Sequence, residues 1–302
     1  MIRRLTKLVL GSACCACPAV IIFSISSLLT SSLKAAEKAP ELSALDISRS
    51  IEQGVNFLVS HQNKNGSWGN ATRTKGLNIY APVPDAHQAF RTASSALALH
   101  GLLECRDQRP ATLKAIERGE AWLLKTLPNV RNIDPRATYS IWAHAYSLRA
   151  LASLYRYHDD PAKREEYRRQ AAIQIKRLVR HEDVNKGWGY YDFQHLTAKP
   201  SGSIMSFTTA TALLAMHDVA TAMNIELPAT VIKRGVQSIQ MQRNPDFSYM
   251  YSFSHRWTPR RSINTPAGSL GRSQACNAAL RKFGDSEVTD TVIRTWLQRL
   301  FD

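Results

Sequence analysis

The sequence predicts an all-α fold of paired helices, in which amphipathic helices alternate with helices that are apolar on most sides. Three observations point there. Residues 161–181 and 287–301 carry one charged and one apolar face, whereas Thr92–Glu104, Tyr139–Tyr157 and Ser206–Met223 are rich in Ala, Leu, Ser and Thr nearly all round. A helix apolar on most sides is a helix buried on most sides. A register also recurs: Ile51 and Gly54 precede Phe57-Leu58, Ile116 and Gly119 precede Trp122-Leu123, and Ile232 and Gly235 precede Ser238-Ile239. No window shows sustained strand alternation, and short strands fit only in the loops 188–193 and 247–253. A repeating helix pair, with a period of roughly fifty to sixty-five residues, argues for a ring or a solenoid.

The elements follow in order. Arg3, Arg4 and Lys7 precede a run from Leu8 to Leu33 without a charge, and Lys34-Ala35-Ala36 follows it. A basic start, an apolar stretch and small residues read as an export signal. The run also approaches the ~20 residues that span a bilayer, so residues 1–36 serve either as a removed signal or as a membrane anchor. Both readings place the domain outside the cytoplasm, exported, periplasmic or anchored. Residues 37–47 read as a polar linker, and 48–302 as the helical domain. Amphipathic helices are expected near 49–62, 112–126, 161–181, 228–243 and 287–301. Buried ones are expected near 91–105, 137–157, 206–224 and 272–283. Turns closed by an aromatic residue follow three of the amphipathic helices: Asn63–Trp68, Asn185–Trp188 and Asn244–Tyr249. Gly within a helix costs about 1 kcal/mol relative to Ala, so its recurrence at one register implies close approach of neighbouring helices.

Gly54, Phe57-Leu58, Gln62, Gly66 and Trp68 together resemble the Gln-Trp repeat of squalene–hopene cyclases. Looser copies cover 112–126, 171–188, with Gly187 and Trp188, and 235–249. The resemblance implies an α/α toroid of the terpene-cyclase and protein-prenyltransferase type, with outer and inner helices in turn. Gln62 and Trp68 would then tie an outer helix to its neighbour, a structural role. The helices number too few for a full ring, which implies an incomplete or open one. The family's functional residues do not carry over. The acid motif of the cyclases is replaced by Gln88-Ala89-Phe90-Arg91 and Ile204-Met205-Ser206-Phe207. The prenyltransferase zinc pair would need Asp where Gln274 stands before Cys276. No metal and no cofactor is therefore implied.

Polar residues at the starts of the buried helices would face a central cavity. They are His87, Gln88, Arg91, Asp134, Arg136, His144, Ser206, Thr208, Arg272 and Gln274, with Cys276 further along the last of these helices. Helix N-termini with Arg nearby can hold an anion; equally, Ser206, Thr208 and Asp134 can act as caps and the arginines as ion-pair partners. Tyr190 and Tyr191, in the aromatic loop 188–193, and the segment 249–257 would line the cavity or simply pack between loops. Asp159-Asp160 before Pro161 reads as a helix cap. Cys105 and Cys276 read as two small buried residues or as one disulfide.

Net charge is +15, and without residues 1–36 it is +11, from 35 basic and 24 acidic residues. The charges are interleaved, as in Arg164–Arg169, and only Arg256–Arg272 is basic and free of acid. No nucleic-acid motif accompanies them, so nucleic acid is not an expected partner. His-Glu-x-x-His, Gly-x-Ser-x-Gly and phosphate-loop patterns are absent from the sequence. The readings left are an exported toroid binding an apolar or polyprenyl-type ligand, a non-catalytic envelope scaffold, and a carbohydrate-active ring.

Overall fold

The computed structural model describes residues 43–70, 88–130, 140–190 and 204–301. They form nine α-helices: α1 (Ala44–Ser60), α2 (Gln88–Cys105), α3 (Pro110–Thr126), α4 (Ser140–Tyr157), α5 (Pro161–Arg180), α6 (Ser206–Met223), α7 (Ala229–Gln240), α8 (Pro266–Lys282) and α9 (Asp290–Gln298). The protein is all-α. Among the described residues the only β pairings are two isolated bridges, Met205–Ser252 and Arg243–Tyr249. The N-terminal apolar segment and the residues to 42 lie outside the described residues, and no described helix is long and apolar enough to cross a membrane.

Helix starts follow local chemistry. Asp160 accepts from the N–H groups of Ala162 and Lys163, with Pro161 at the first helical position of α5. Thr265 and Thr289 cap α8 and α9 in the same way. α6 ends on Asn224 in the left-handed region. α1 begins at Ala44, which corrects the 37–47 linker at its end. Asp46 lies in the first turn, where a negative charge favours the helix N-terminus. Ser206 and Thr208 do not cap α6: Met205 holds the cap position without a side-chain bond, and the Ser206 hydroxyl donates to Met250 O at 2.7 Å.

Packing separates the helices into two kinds. α2 packs on α4, α4 on α6 and α6 on α8. Their touching faces are dense in small residues, among them Ala143, Ala145, Ala150 and Ala152 on α4 and Ala210, Ala212 and Ala215 on α6, all buried. Small side chains let apolar helices approach closely while Leu148, Leu151, Leu213 and Met216 fill the spaces between them. The amphipathic helices sit against this row: α3 on α2, α5 on α4, α7 on α6 and α8, α9 on α8. The row is open, since among the described residues no comparable packing joins α8 to α2.

Candidate functional site

The connections that follow α1, α5 and α7 are one structure made three times. Asn63, Asp183 and Asn244 each accept from the N–H three residues on, at 2.9, 2.9 and 3.0 Å, and donate their own N–H to the carbonyl four residues on. The fourth position of each loop, Gly66, Lys186 and Phe247, has φ of 92°, 74° and 62°. Glycine fits this left-handed region without strain, and the other two copies hold it with Lys and Phe. Gly187 therefore matches Ser67, not Gly66. A side chain there would lie 2.7 Å from both the Ser238 and the Thr209 hydroxyl.

Each loop ends in an aromatic residue docked by its backbone onto a hydroxyl of the next buried helix. Trp68 N–H donates to Ser95 Oγ (2.8 Å), Trp188 N–H to Thr209 Oγ1 (3.0 Å) and Tyr249 N–H to Ser273 Oγ (3.2 Å). The indole N–H groups of Trp68 and Trp188 reach back ten residues to Leu58 O (2.7 Å) and Leu178 O (2.8 Å). Their rings then lie on glycines of the next amphipathic helix. A Cβ on Gly119 would meet Trp68 at 2.8 Å, and one on Gly235 would meet Trp188 at 3.1 Å. Gln62 donates to Gly66 O (3.0 Å) and across to Ala115 O of α3 (2.8 Å). Arg118 holds Asn63 O and Lys64 O, Arg177 holds Leu127 O, Pro128 O and Val130 O, and Arg234 pairs with Glu182 at 2.5–2.7 Å. Arginines on α3, α5 and α7 thus hold the turn before them, whereas on α9 the Trp296 indole N–H donates to Asp246 O at 3.0 Å.

Gly54 departs from this pattern. Nothing lies within 4 Å of where its Cβ would be, and its stripe mates Ile51 and Phe57 are exposed. No loop precedes α1 among the described residues, so the face that receives Trp68 on α3 receives nothing here.

Beyond these clamps the chain builds an aromatic surface. Tyr190 and Tyr251 each stand two residues after a docked aromatic, and their hydroxyls bond to each other. Their rings are 6.4 Å apart. Phe207, in the first turn of α6, lies 6.0 Å from Tyr190 and 5.2 Å from Tyr251. Trp142, in the first turn of α4, lies 6.0 Å from Phe207 and 6.4 Å from Tyr190, and stacks on Tyr146 at 5.4 Å. All five are partly exposed. Tilted and edge contacts are arrangements that aromatic rings prefer, and each of the five keeps part of its surface in solvent. The Met205–Ser252 bridge, with Met205 N–H on Trp188 O (3.1 Å) and Phe253 N–H on Ile204 O (3.0 Å), fixes the two loops beside the start of α6.

The residues expected to line one cavity are divided. Tyr190 belongs to the aromatic surface. Tyr191 lies outside the described residues, as do His87, Asp134 and Arg136. Arg272 stands over the Tyr251 ring at 5.5 Å, but its guanidinium donates to Tyr249 O (3.0 Å) and to Ile263 O, so it fastens the 249–264 loop and is not a free anion site. Burial lowers its pKa. Arg91 is partly buried in the first turn of α2. Gln88 lines a different cavity, of about 590 Å³, with Lys64, Arg118, Trp122 and Lys125.

Three expectations are corrected. His144 faces α5, not a cavity: it is buried, bonds Gln174 at 2.8 Å, and lies 5.6 Å from the His181 ring. Desolvation pushes its pKa down to about 4 and that of His181 to about 3, so both are neutral at pH 7. Gln274 Nε2 donates to Ile293 O at 3.2 Å and ties α8 to α9. Cys276 is in the core, its thiol pushed up to about 12 by burial, while Cys105 is exposed; both are free thiols, which removes the disulfide. The sequence does not mark Trp142, Tyr146 and Phe207 as site residues, because helix periodicity alone does not separate a partly exposed aromatic from a core one.

Chemically, the surface offers π-faces, phenol hydroxyls and apolar edges. Among the described residues no group of His, Cys, Asp or Glu side chains is placed to hold a metal ion. Comparison with protein-family models, with curated proteins and with solved structures returns no match.

Proposed function

We propose that the chain is an α/α-toroid-type protein with an open ring, which binds an apolar, polyprenyl-type ligand on the aromatic surface of its inner helices. The observation that carries this reading is the partly exposed run Trp142–Phe207–Tyr251, with Tyr190 bridging it. Water gains by leaving such rings when an apolar chain covers them. The resemblance to the Gln-Trp repeat supports the toroid, and the loops that dock Trp68 and Trp188 onto the next helix are what such a repeat would use. Binding without turnover fits a surface assembled from rings and hydroxyls. In the same reading, residues 1–36 act as export signal or anchor and deliver the domain to the outer side of a membrane.

The test is equilibrium binding of farnesol and squalene, followed by tryptophan fluorescence, with products analysed by mass spectrometry. Saturable binding, weakened about fivefold to tenfold by Trp142→Ala and similarly by Phe207→Ala, is expected if each ring contributes about 1 kcal/mol. A cyclised or transferred product would make the protein an enzyme. No saturable binding, or binding indifferent to both substitutions, would overturn the proposal; saturable binding of an oligosaccharide alone would move the site to the carbohydrate reading.

A further inference from the structure

The loop that carries Tyr251 to the aromatic surface also carries a group of cations and an exposed indole to the outside. From Phe247 to Gly284 the chain holds no Asp or Glu, but it holds Arg256, Arg260, Arg261, Arg272, Arg281 and Lys282. The loop is built, not loose. Asn264 is buried; its side-chain oxygen accepts from Tyr251 N–H at 3.0 Å and lies 3.2 Å from His255 Nδ1. Two short 3₁₀ turns, Phe253–Trp257 and Ser262–Asn264, flank the tip. On this frame Trp257 is 76% exposed and Ile263 37%. The Arg256 guanidinium sits 3.8 Å from the Phe253 ring centre and 4.8 Å from that of Trp257. Arg256, Arg260 and Arg261 are exposed, and none has an acidic partner among the described residues.

From this geometry we infer that the 253–263 loop docks on an anionic lipid surface, with Trp257 entering the headgroup region and the three arginines meeting the phosphates. This goes beyond the ligand reading and stands without it. The chemistry favours a bilayer over a polyanion in solution. An indole with an apolar body and one N–H suits the membrane interface, and Arg256 stacked on two rings keeps its charge beside an apolar wedge. A soluble polyanion would use the arginines and leave Trp257 in water. The uncharged run Leu8–Leu33 in the same chain is of bilayer-spanning length. With that run in the membrane, the loop would act at high local concentration and needs only weak affinity of its own.

The test uses the full chain with vesicles of phosphatidylcholine alone or with phosphatidylglycerol added, and hydroxyl-radical labelling of Trp257 as the readout. Labelling reports on the loop whether or not residues 8–33 also enter the vesicle. Anionic vesicles are expected to protect Trp257, neutral ones not, and added salt to reverse the protection. Near an anionic surface each arginine is worth about fivefold in affinity. Arg256→Gln, Arg260→Gln and Arg261→Gln together are therefore expected to lower the ratio of protected to unprotected Trp257 on anionic vesicles on the order of a hundredfold. Should that variant not fold, Arg260→Gln with Arg261→Gln keeps the test, with a shift of about twenty-five-fold. Equal labelling with anionic, neutral and no vesicles would overturn the inference. So would protection by heparin without protection by anionic vesicles, which would assign the loop to an acidic glycan.

Discussion

At the scale of single residues, the recurring glycines separate by their surroundings. Gly119 and Gly235 support the rings of Trp68 and Trp188, whereas Gly54 faces open space. Gly119→Ala is expected to destabilise the protein by about 1–3 kcal/mol, as overpacking does, because its methyl would enter the Trp68 ring. Gly235→Ala is expected to cost less, since its contacts at 3.1 Å allow a small shift. Gly54→Ala is expected to stabilise α1 by up to about 1 kcal/mol through helix propensity. Urea midpoints of the three variants decide this, and a common sign for all three would refute it. A repeat signature in sequence treats the three positions alike. The motif was legible because its spacing recurs; its opposite consequences were not, because they depend on a ring arriving from another segment.

At the scale of elements, the seam between α4 and α5 holds two buried imidazoles, His144 and His181. Both titrate near 6.5 when solvated, but near 4 and 3 in the fold. Below about pH 6.5 the unfolded chain therefore binds more protons than the folded one, and stability falls as the pH drops toward 4. The slope reaches about 1.4 kcal/mol per pH unit for each group that titrates independently. Replacing His144 by Gln is expected to flatten the dependence. The urea midpoint at pH 7, 6 and 5 measures it; an unchanged midpoint over that range would show that the imidazoles are not buried as described. Glu120, on α3 against the start of α5, occupies a filled site, bonded to Tyr167, Lys163 and His158 at 2.6, 3.0 and 2.9 Å, which holds its carboxyl ionised despite burial. Its contribution is present at neutral pH and lost as the pH falls through its lowered pKa, so it acts in the same direction.

At the scale of the whole molecule, contacts run between neighbours along the row α2–α4–α6–α8. Of the chain's five cysteines, the two among the described residues report on that row from opposite ends of the exposure range. Cys105 is expected to react with a disulfide reagent in the native state, at a modest rate because burial and Asp107 raise its pKa. Cys276 is expected to react only when α8 separates from the core, so its labelling rate should track denaturant. Comparable rates for the two thiols without denaturant would contradict the packing of α8 on α6. Among the described residues, exposed apolar side chains group on α1, at Leu45, Ile47, Ile51 and Phe57, and past α9, at Leu300 and Phe301. Both groups lie at helices outside the row, α1 before it and α9 after it in the chain.

The sequence by itself determined the helices and their two kinds, because periodicity and capping act within a few residues of chain. Asp160-Pro161 started α5 as a cap and a fixed φ dictate, and the Ala-rich segments became the buried row as their all-round apolarity requires. Gln62, Trp68 and Trp188 could be singled out from a recurring spacing together with its resemblance to the Gln-Trp repeat. Only the tertiary structure decided which polar residues face outward and which are sealed. His144, Gln274 and Cys276 lie on buried helices near residues that reach the aromatic surface, and one helical step of about 100° per residue sends them into a neighbour instead. The aromatic surface itself joins residues from 142 to 251, whose proximity is set by helix packing and not by any distance along the chain.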